Sequence, residues 1–250
     1  EIEPQRLAEA DRVVHLAGEN IAGHRWTESF KQKIHYSRTK GTLLVSEAVA
    51  AGEQKPRTLV CASAIGYYGD RGDELLTEES APGDDFLAKV CRQWEAACDP
   101  ARAAGVRVVN TRFGIILSTQ GGALKQMLPP FKLGAGGVLG SGRQVMSWIT
   151  LEDVVRAIQF AIDTPQLTGP VNVVAPKPVT NREFTKTVGS VLNRPTVLPM
   201  PAFAARVLFG EMADALLLSS TRVEPVELRQ AGFDFQHSEL EPALRSVLSA

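Results

Sequence analysis

Cysteine is scarce in this chain of 250 residues: there are three, Cys61, Cys91 and Cys98, with no Cys-x-x-Cys spacing. An odd count without a pairing pattern excludes a disulfide framework and fits a reducing compartment, so a cytoplasmic location is expected. The four histidines, His15, His24, His35 and His237, lack metal-ligand spacing, and no metal site is expected. An excess of either charge is also missing. The 27 basic and 28 acidic side chains leave a formal net charge of −1, which excludes the basic footprint of a nucleic-acid binder and a polybasic membrane anchor. No apolar run approaches the length of a membrane helix. The opening EIEPQRLAEAD resembles neither a signal peptide nor a transit peptide.

Against those absences, 44% of residues are hydrophobic and 22% charged, ordinary proportions for a chain that packs a core. Short β-branched runs recur: RVVHLAG (12–18), TLVCASA (58–64), VRVVNTRFG (106–114) and VNVVA (171–175). Runs this apolar suit strands buried on both faces of a parallel sheet. Helical patterns lie between them, at 37–51, at 86–105 up to Gly105, and at 151–163. Strand–helix alternation predicts an α/β fold, a doubly wound parallel sheet with helices on both faces.

The pattern changes after about Pro165. Thr180 and Glu183 have capping-box spacing, Pro201 suits the first turn of a helix over 201–220, and Ser238 and Glu241 repeat the capping-box spacing. The division expected is a nucleotide-binding domain over 1–165 and a smaller α/β lobe over 166–250. The glycine-rich stretch 121–144 reads as a long irregular segment, and 121–148 is expected to contribute to a substrate cleft. Asp153 is expected to cap or charge a helix start.

Ligands of doubly wound sheets sit beyond the carboxyl ends of the strands. The residues there are Ala17, Gly18, Glu19 and Asn20, then Ser63, Ala64, Ile65 and Gly66, then Arg112, Phe113 and Gly114. Glycine at such ends admits the close backbone approach that a dinucleotide needs, and it equally serves a tight turn. Spacing alone leaves both readings open.

Several segments together resemble the extended short-chain dehydrogenase/reductases: VVHLAGENIAG, GTLLVSEAV, ASAIGYYGD, VRVVNTRFGIIL and GSGRQVMSWITLEDVVRAI. More narrowly, GENIAGHRW, SAIGYYGDRGDE, PPFKLGAGGVLGSGRQVMSWI, TNREF and AGFDF look like the atypical, epimerase-like branch often described as sugar-nucleotide epimerases. The resemblance covers nearly the whole chain. It implies a Rossmann-type fold, an NADP(H) cofactor with NAD as the other option, and a small polar, sugar-like substrate. It implies no nucleic-acid or membrane partner, and a monomer or homodimer.

Two departures from the family pattern qualify this. The family opens with a strand, a G-x-x-G-x-x-G turn and a helix, a unit of about 30 residues; the chain here opens just before the HLAG strand. The residue that selects NAD or NADP belongs to that unit. The family also uses Tyr-x-x-x-Lys, the tyrosine as acid/base and the lysine as its charged neighbour. Here the alignment places Leu87 and Cys91 at those positions, and no Tyr-x-x-x-Lys occurs anywhere. Lys89 lies on the same helix in another register. This opens a second reading, a catalytically silent dinucleotide-binding protein that senses cofactor or holds a partner.

The resemblance implies candidate roles for other residues. Ser63 stands where the family has the serine or threonine that bonds substrate, and Tyr67 is the nearest phenol, with Tyr68 beside it. Leu16, Ala17, Gly18, Arg38, Ala62, Ser63, Arg112, Phe113 and Gly114 would line the cofactor. Glu19, Asn20, Arg25, Trp26, Arg143 and Trp148 would face substrate, Arg143 as a displaced candidate for a diphosphate-gripping arginine. Each has a plainer alternative: a strand-end serine bonding its turn, adjacent aromatics packing, a surface loop with a tryptophan anchor. Cys91 is expected to pack rather than react.

Overall fold

A computed structural model describes residues 10–249. The four apolar runs form one parallel sheet: β1 (Arg12–His15), β2 (Thr58–Ala64), β3 (Arg107–Phe113) and β4 (Gly169–Val173), adjacent in that order. Side chains alternate across the strands, and each face buries its own set. Val60 of β2 and Val109 of β3 join Val154, Ala157 and Ala161 on one face. Leu59 and Cys61 join Val108, Val49, Trp94 and Ala101 on the other. The runs of β2 and β3 are therefore continuous because both sides of the sheet are covered there, while β1 stays half-exposed.

The covering helices are α1 (Glu28–Ala51), α2 (Phe86–Ala96) and α3 (Asp99–Ala103) on one side and α5 (Leu151–Asp163) on the other; α4 (Gly122–Lys132) packs away from this sheet. α1 begins nine residues before the expected 37, because Thr27 caps it by accepting from the Phe30 amide at 3.2 Å. The expected helix over 86–105 is two helices, interrupted around Cys98 with Pro100 in the first turn of the second. Gly105, at φ +82°, ends it as anticipated. No helix among the described residues is long and apolar enough to cross a membrane.

The main sheet does not stop at 165. β4 lies beyond that position and pairs with β3 throughout its length, and Leu228 and Phe233 pack into the same core as α5. A second core is built from Leu117, Leu124, Leu128, Phe131, Trp148, Phe184, Val188 and Leu244. It explains why the glycine-rich stretch is not wholly irregular. α4 occupies 122–132 because Leu124, Leu128 and Phe131 present one buried face, and it accommodates Pro129 and Pro130 near its end. α6 (Asn181–Leu192) carries the expected capping box between Thr180 and Glu183. The apolar stretch 201–220 holds α7 (Ala202–Phe209) and a π-helical turn at Ala213–Leu218, separated at Gly210 with φ +62°. Short α8 (Val226–Gln230) precedes α9 (Leu240–Ser249), on which Glu241 pairs with Arg245 rather than completing a capping box.

Asp153 does more than charge a helix start. Thr150 provides the cap, accepting from the Asp153 amide at 3.2 Å. The Asp153 carboxylate is fully buried and accepts the backbone amides of Gln236 at 3.0 Å and His237 at 2.9 Å, with Arg156 at 2.9 Å. It thereby fastens the segment before α9 onto α5. Asp153→Ala removes the buried acceptor of two part-buried amides, so we expect a loss of about 2–3 kcal/mol in urea unfolding. A loss under about 1 kcal/mol would show that water replaces the carboxylate.

Candidate functional site

The first strand end is open. Leu16 is 51% exposed, and Ala17 and Gly18 are exposed beside it. α1 holds the chain that follows: Ser37 Oγ accepts the Glu19 amide at 3.0 Å, and Arg38 Nη2 donates to the Glu19 carbonyl at 3.0 Å. Arg38 also donates to the Ile34 carbonyl at 3.2 Å and lies over the Trp94 ring, 5.0 Å from its centroid. A Cβ on Gly18 would meet Arg38 Cζ at 3.4 Å, so the guanidinium lies alongside this glycine. Burial pulls Arg38 below the usual arginine value.

The loop beyond is locally folded. Asn20 Oδ1 accepts the Ala22 amide at 3.0 Å, forming a side-chain turn. Trp26 is buried, donates to the Ile21 carbonyl at 2.8 Å, and meets the Phe86 ring edge-on at 5.4 Å. Trp26 therefore serves as the loop's anchor, the plainer of its two readings. Met212, Ala215 and Leu216 from the C-terminal segment pack into the same cluster, and exposed Arg25 lies against Gly210.

The second and third strand ends meet in a buried polar network. Ser63 and Arg112 are register partners on β2 and β3. Arg112 grips Glu95 of α2 with two parallel bonds, Nε to Oε1 at 2.8 Å and Nη2 to Oε2 at 2.8 Å. Its Nη1 donates to the Tyr68 hydroxyl at 3.0 Å and the Glu78 carbonyl at 3.3 Å. Ser63 Oγ donates to Glu95 Oε1 at 2.7 Å. The Tyr68 hydroxyl donates to Asn172 Oδ1 at 2.7 Å, and the half-buried Tyr67 ring faces the guanidinium at 3.5 Å. Burial opposes the charge of Arg112, but its bonds to Glu95 outweigh that and hold it above the usual arginine value. Burial likewise pushes the Tyr68 phenol up to about 12.

Two expected residues have their side chains engaged by the protein itself. Arg112 is bonded at all three guanidinium nitrogens and has 3% side-chain exposure, so its side chain belongs to the ion pair, which leaves the backbone of this strand end as the part that could meet a cofactor. Trp148 is fully enclosed in the second core and donates to the Lys177 carbonyl at 3.0 Å. Ala62 is buried in the sheet core, and Phe113 packs against both cores of the sheet. Gly114 is demanded by protein packing, since a Cβ there would lie 2.6 Å from the Ser147 carbonyl oxygen and 2.7 Å from Val174. Arg143 is exposed.

Leu87 and Cys91 do face the turn after Ser63. A Cβ on Gly66 would lie 3.5 Å from Leu87 Cβ and 3.9 Å from Cys91 Sγ. Burial pushes the Cys91 thiol up to about 12, so it stays protonated. Sequence reasoning missed Glu95, Glu78 and Asn172. The signal for Glu95 was available: it falls four residues after Cys91 and eight after Leu87, on the same helix face.

Glu78 is buried, and its Oε1 accepts the Asn172 amide at 3.0 Å and the Glu227 amide at 3.3 Å. Among the described residues its Oε2 has no partner. Burial raises its carboxyl above the usual glutamate value. The folded state then holds a proton that the unfolded chain releases. Stability falls as pH rises from the usual value through the raised one, and levels off above it. In urea titrations across that window we expect Glu78→Gln to lack this decline; parallel curves for the two proteins would refute it. Glu95→Ala leaves the Arg112 charge buried alone and should cost about 3–5 kcal/mol, several times the effect of Ser63→Ala in the same measurement.

The comparisons with known proteins follow this geometry. Residues 4–174 match the model of the NAD dependent epimerase/dehydratase family, and residues 200–247 match a domain of unknown function, DUF1731. The chain is 49% identical over 244 residues to epimerase family protein Mb2239 of Mycobacterium bovis, covering 98% of this chain and 80% of that one. It is 34% identical over 254 residues to human epimerase family protein SDR39U1, covering 100% and 86%. The crystal structure of human SDR39U1 (isoform 2) with NADPH superposes with a TM-score of 0.91 at 33% identity, over 99% of this chain and 86% of that one. UDP-glucose 4-epimerase from Thermotoga maritima shares the fold, with a TM-score of 0.74 at 16% identity over 99% and 81%. On these matches the chain belongs to the NAD-dependent epimerase/dehydratase family, with the Rossmann-like parallel sheet of its epimerase members.

Proposed function

We propose that the protein binds NADP(H) at the carboxyl ends of its parallel sheet and acts there as an epimerase-like oxidoreductase on a small polar, sugar-like substrate. The observation that carries this is the exposed Ala17–Gly18 end of β1 beside Arg38. That guanidinium donates to the carbonyls of Glu19 and Ile34 and approaches Ser37 Oγ at 3.5 Å, with no carboxylate among its hydrogen-bond partners in the described residues. A cation so placed fits a phosphate-bearing dinucleotide. The NADPH in the human relative's structure supports the same cofactor, and NAD remains the other option.

Leu16, Ala17, Gly18 and Arg38 would hold the group, and Ser63 would border its reactive end. When bound, the nicotinamide supplies a place for a hydride to go and return from. The chain's own contribution is to orient that exchange and handle the accompanying proton. Glu19, Asn20 and Arg25 are the remaining polar groups of the first loop for substrate, with Arg143 as a further exposed candidate.

A second reading, a silent cofactor-binding protein, is favoured by one observation: Leu87 and the protonated Cys91 stand at the turn where the family's acid/base pair would act. Calorimetric titration tests the first reading. NADPH should bind more tightly than NADH, and Gly18→Val should weaken NADPH about tenfold or more, because the added methyls displace Arg38. Unchanged affinity in Gly18→Val would remove the cofactor from β1. NADPH binding with no turnover of any nucleotide sugar would favour the silent reading.

A further inference from the structure

The outer face of α7 is apolar and uncovered. Only Ala205 of this helix is buried, while Phe203 and Val207, one turn apart, and Leu208 beside them are exposed. The segment leading into α7 continues the face. Residues 194–200 run beside 132–140: Arg194 Nε donates to the Lys132 carbonyl at 3.0 Å, and the Met200 amide donates to the Val138 carbonyl at 2.9 Å. This strip adds Leu133, Val197 and Leu198, and all six residues are 57–84% exposed. Scaled from the roughly 150–250 Å² that a large side chain can bury, they present on the order of 600 Å². That is the upper end for the largest apolar patch of a monomer, about 300–600 Å², and most of the about 800 Å² that each partner gives to a stable interface.

The charges around the face are divided between its ends. Lys132 and Arg194 are exposed at the end before α7. Glu211 and Asp214 follow its other end, each about half exposed. Between them, Arg206 is held by Asp214 at 2.9 Å, so the middle of the face carries no unbalanced charge. An acidic partner would meet Glu211 and Asp214, and a basic one would meet Lys132 and Arg194. A face with one end of each sign is complementary to the same face turned around, which is a second copy of the chain about a two-fold axis.

We propose that two copies of the chain pair through α7, antiparallel about a two-fold axis. Phe203 of each copy then lies against Val207 of the other, and the Lys132 and Arg194 end faces the end carrying Glu211 and Asp214. The outer face of α1 is the competing surface. Its Tyr36, Leu43 and Leu44 are less exposed, and Lys40 interrupts them, its ammonium lying over the Tyr36 ring at 4.1 Å. Pairing through α7 also reaches the first loop. α7 runs into Gly210, which lies against Arg25, and on to Met212 and Leu216, which pack with Trp26. The pairing thereby braces the segment that packs on that loop.

Sedimentation velocity across concentration tests this. The wild-type chain should sediment at twice the mass of one chain at micromolar concentration. Phe203→Asp/Val207→Asp should sediment as one chain there, its dissociation constant raised at least about a hundredfold, because association would bury unpaired carboxylates. Leu44→Asp on α1 should keep the dimer, and circular dichroism checks that each variant is folded. The register has its own readout. Cys61, Cys91 and Cys98 are all buried, so Phe203→Cys and Val207→Cys supply the accessible thiols. Under diamide, a mixture of these two variants should cross-link in preference to either alone. A wild type of single-chain mass, a dimer that survives Phe203→Asp/Val207→Asp, or a dimer lost with Leu44→Asp alone would overturn the proposal. Capture of a single-chain wild type by phosphatidylserine vesicles would also overturn it and give the face to a lipid surface. If the aspartate variant fails to fold, cross-linking decides: no preference for the mixed pair overturns the pairing.

Discussion

The buried pairing of Arg112 with Glu95 is the constraint around which this molecule is arranged. Taking two charges out of water is costly, and the cost is offset only when geometry and neighbouring bonds are satisfied together. Here the pair is bidentate, and the remaining capacity is met by Ser63, Tyr68 and a backbone carbonyl. Each partner comes from a different element: β2, β3, α2 and the turn after β2. Tyr68 carries the connection onward to Asn172 on β4. The polar chain thus ties three neighbouring strands at their carboxyl ends, where apolar packing gives way to polar side chains.

Much of the fold was legible because its periodicities are simple. The four β-branched runs appear as strands; β2 and β3 keep nearly their expected limits because burial on both faces leaves an unbroken apolar signal, whereas β1 ends at His15, short of the expected 18, with Val14 42% exposed. The helix limits were less readable. The start of α1 depends on Thr27 within a polar loop, and the break near Cys98 depends on local geometry that 3.6-residue periodicity does not encode. α4 was hidden by Pro129 and Pro130, which suggest turns unless the buried face of Leu124, Leu128 and Phe131 is weighed against them. Asp153 looked like a helix-start charge because its real partners are backbone amides more than 80 residues away.

The strand ends were legible in the sequence, and the bonding partners of their side chains less so. Leu87 and Cys91 lie against the turn after Ser63, which is a statement about helix geometry. The pairing of the Arg112 side chain with Glu95 was not legible, because sequence order hides which partner reaches a side chain first. Gly18 and Gly114 look equivalent in sequence. In space, one lies at an exposed strand end beside Arg38, while the other is a glycine because Ser147 and Val174 leave no room for a Cβ.

The Asp153 contact also bears on how the chain assembles. Its acceptors emerge in α5, yet the amides that satisfy them arrive more than 80 residues later. During synthesis at about 5–20 residues per second, a carboxylate destined for full burial must stay hydrated for several seconds. The covering segment 233–237 therefore belongs to the last closure, after the parallel sheet has a floor to receive it. Its long sequence separation makes that step entropically expensive and places it late. The C-terminal tail then acts as the molecule's final latch, and amide exchange at Gln236 and His237 reports when the latch opens.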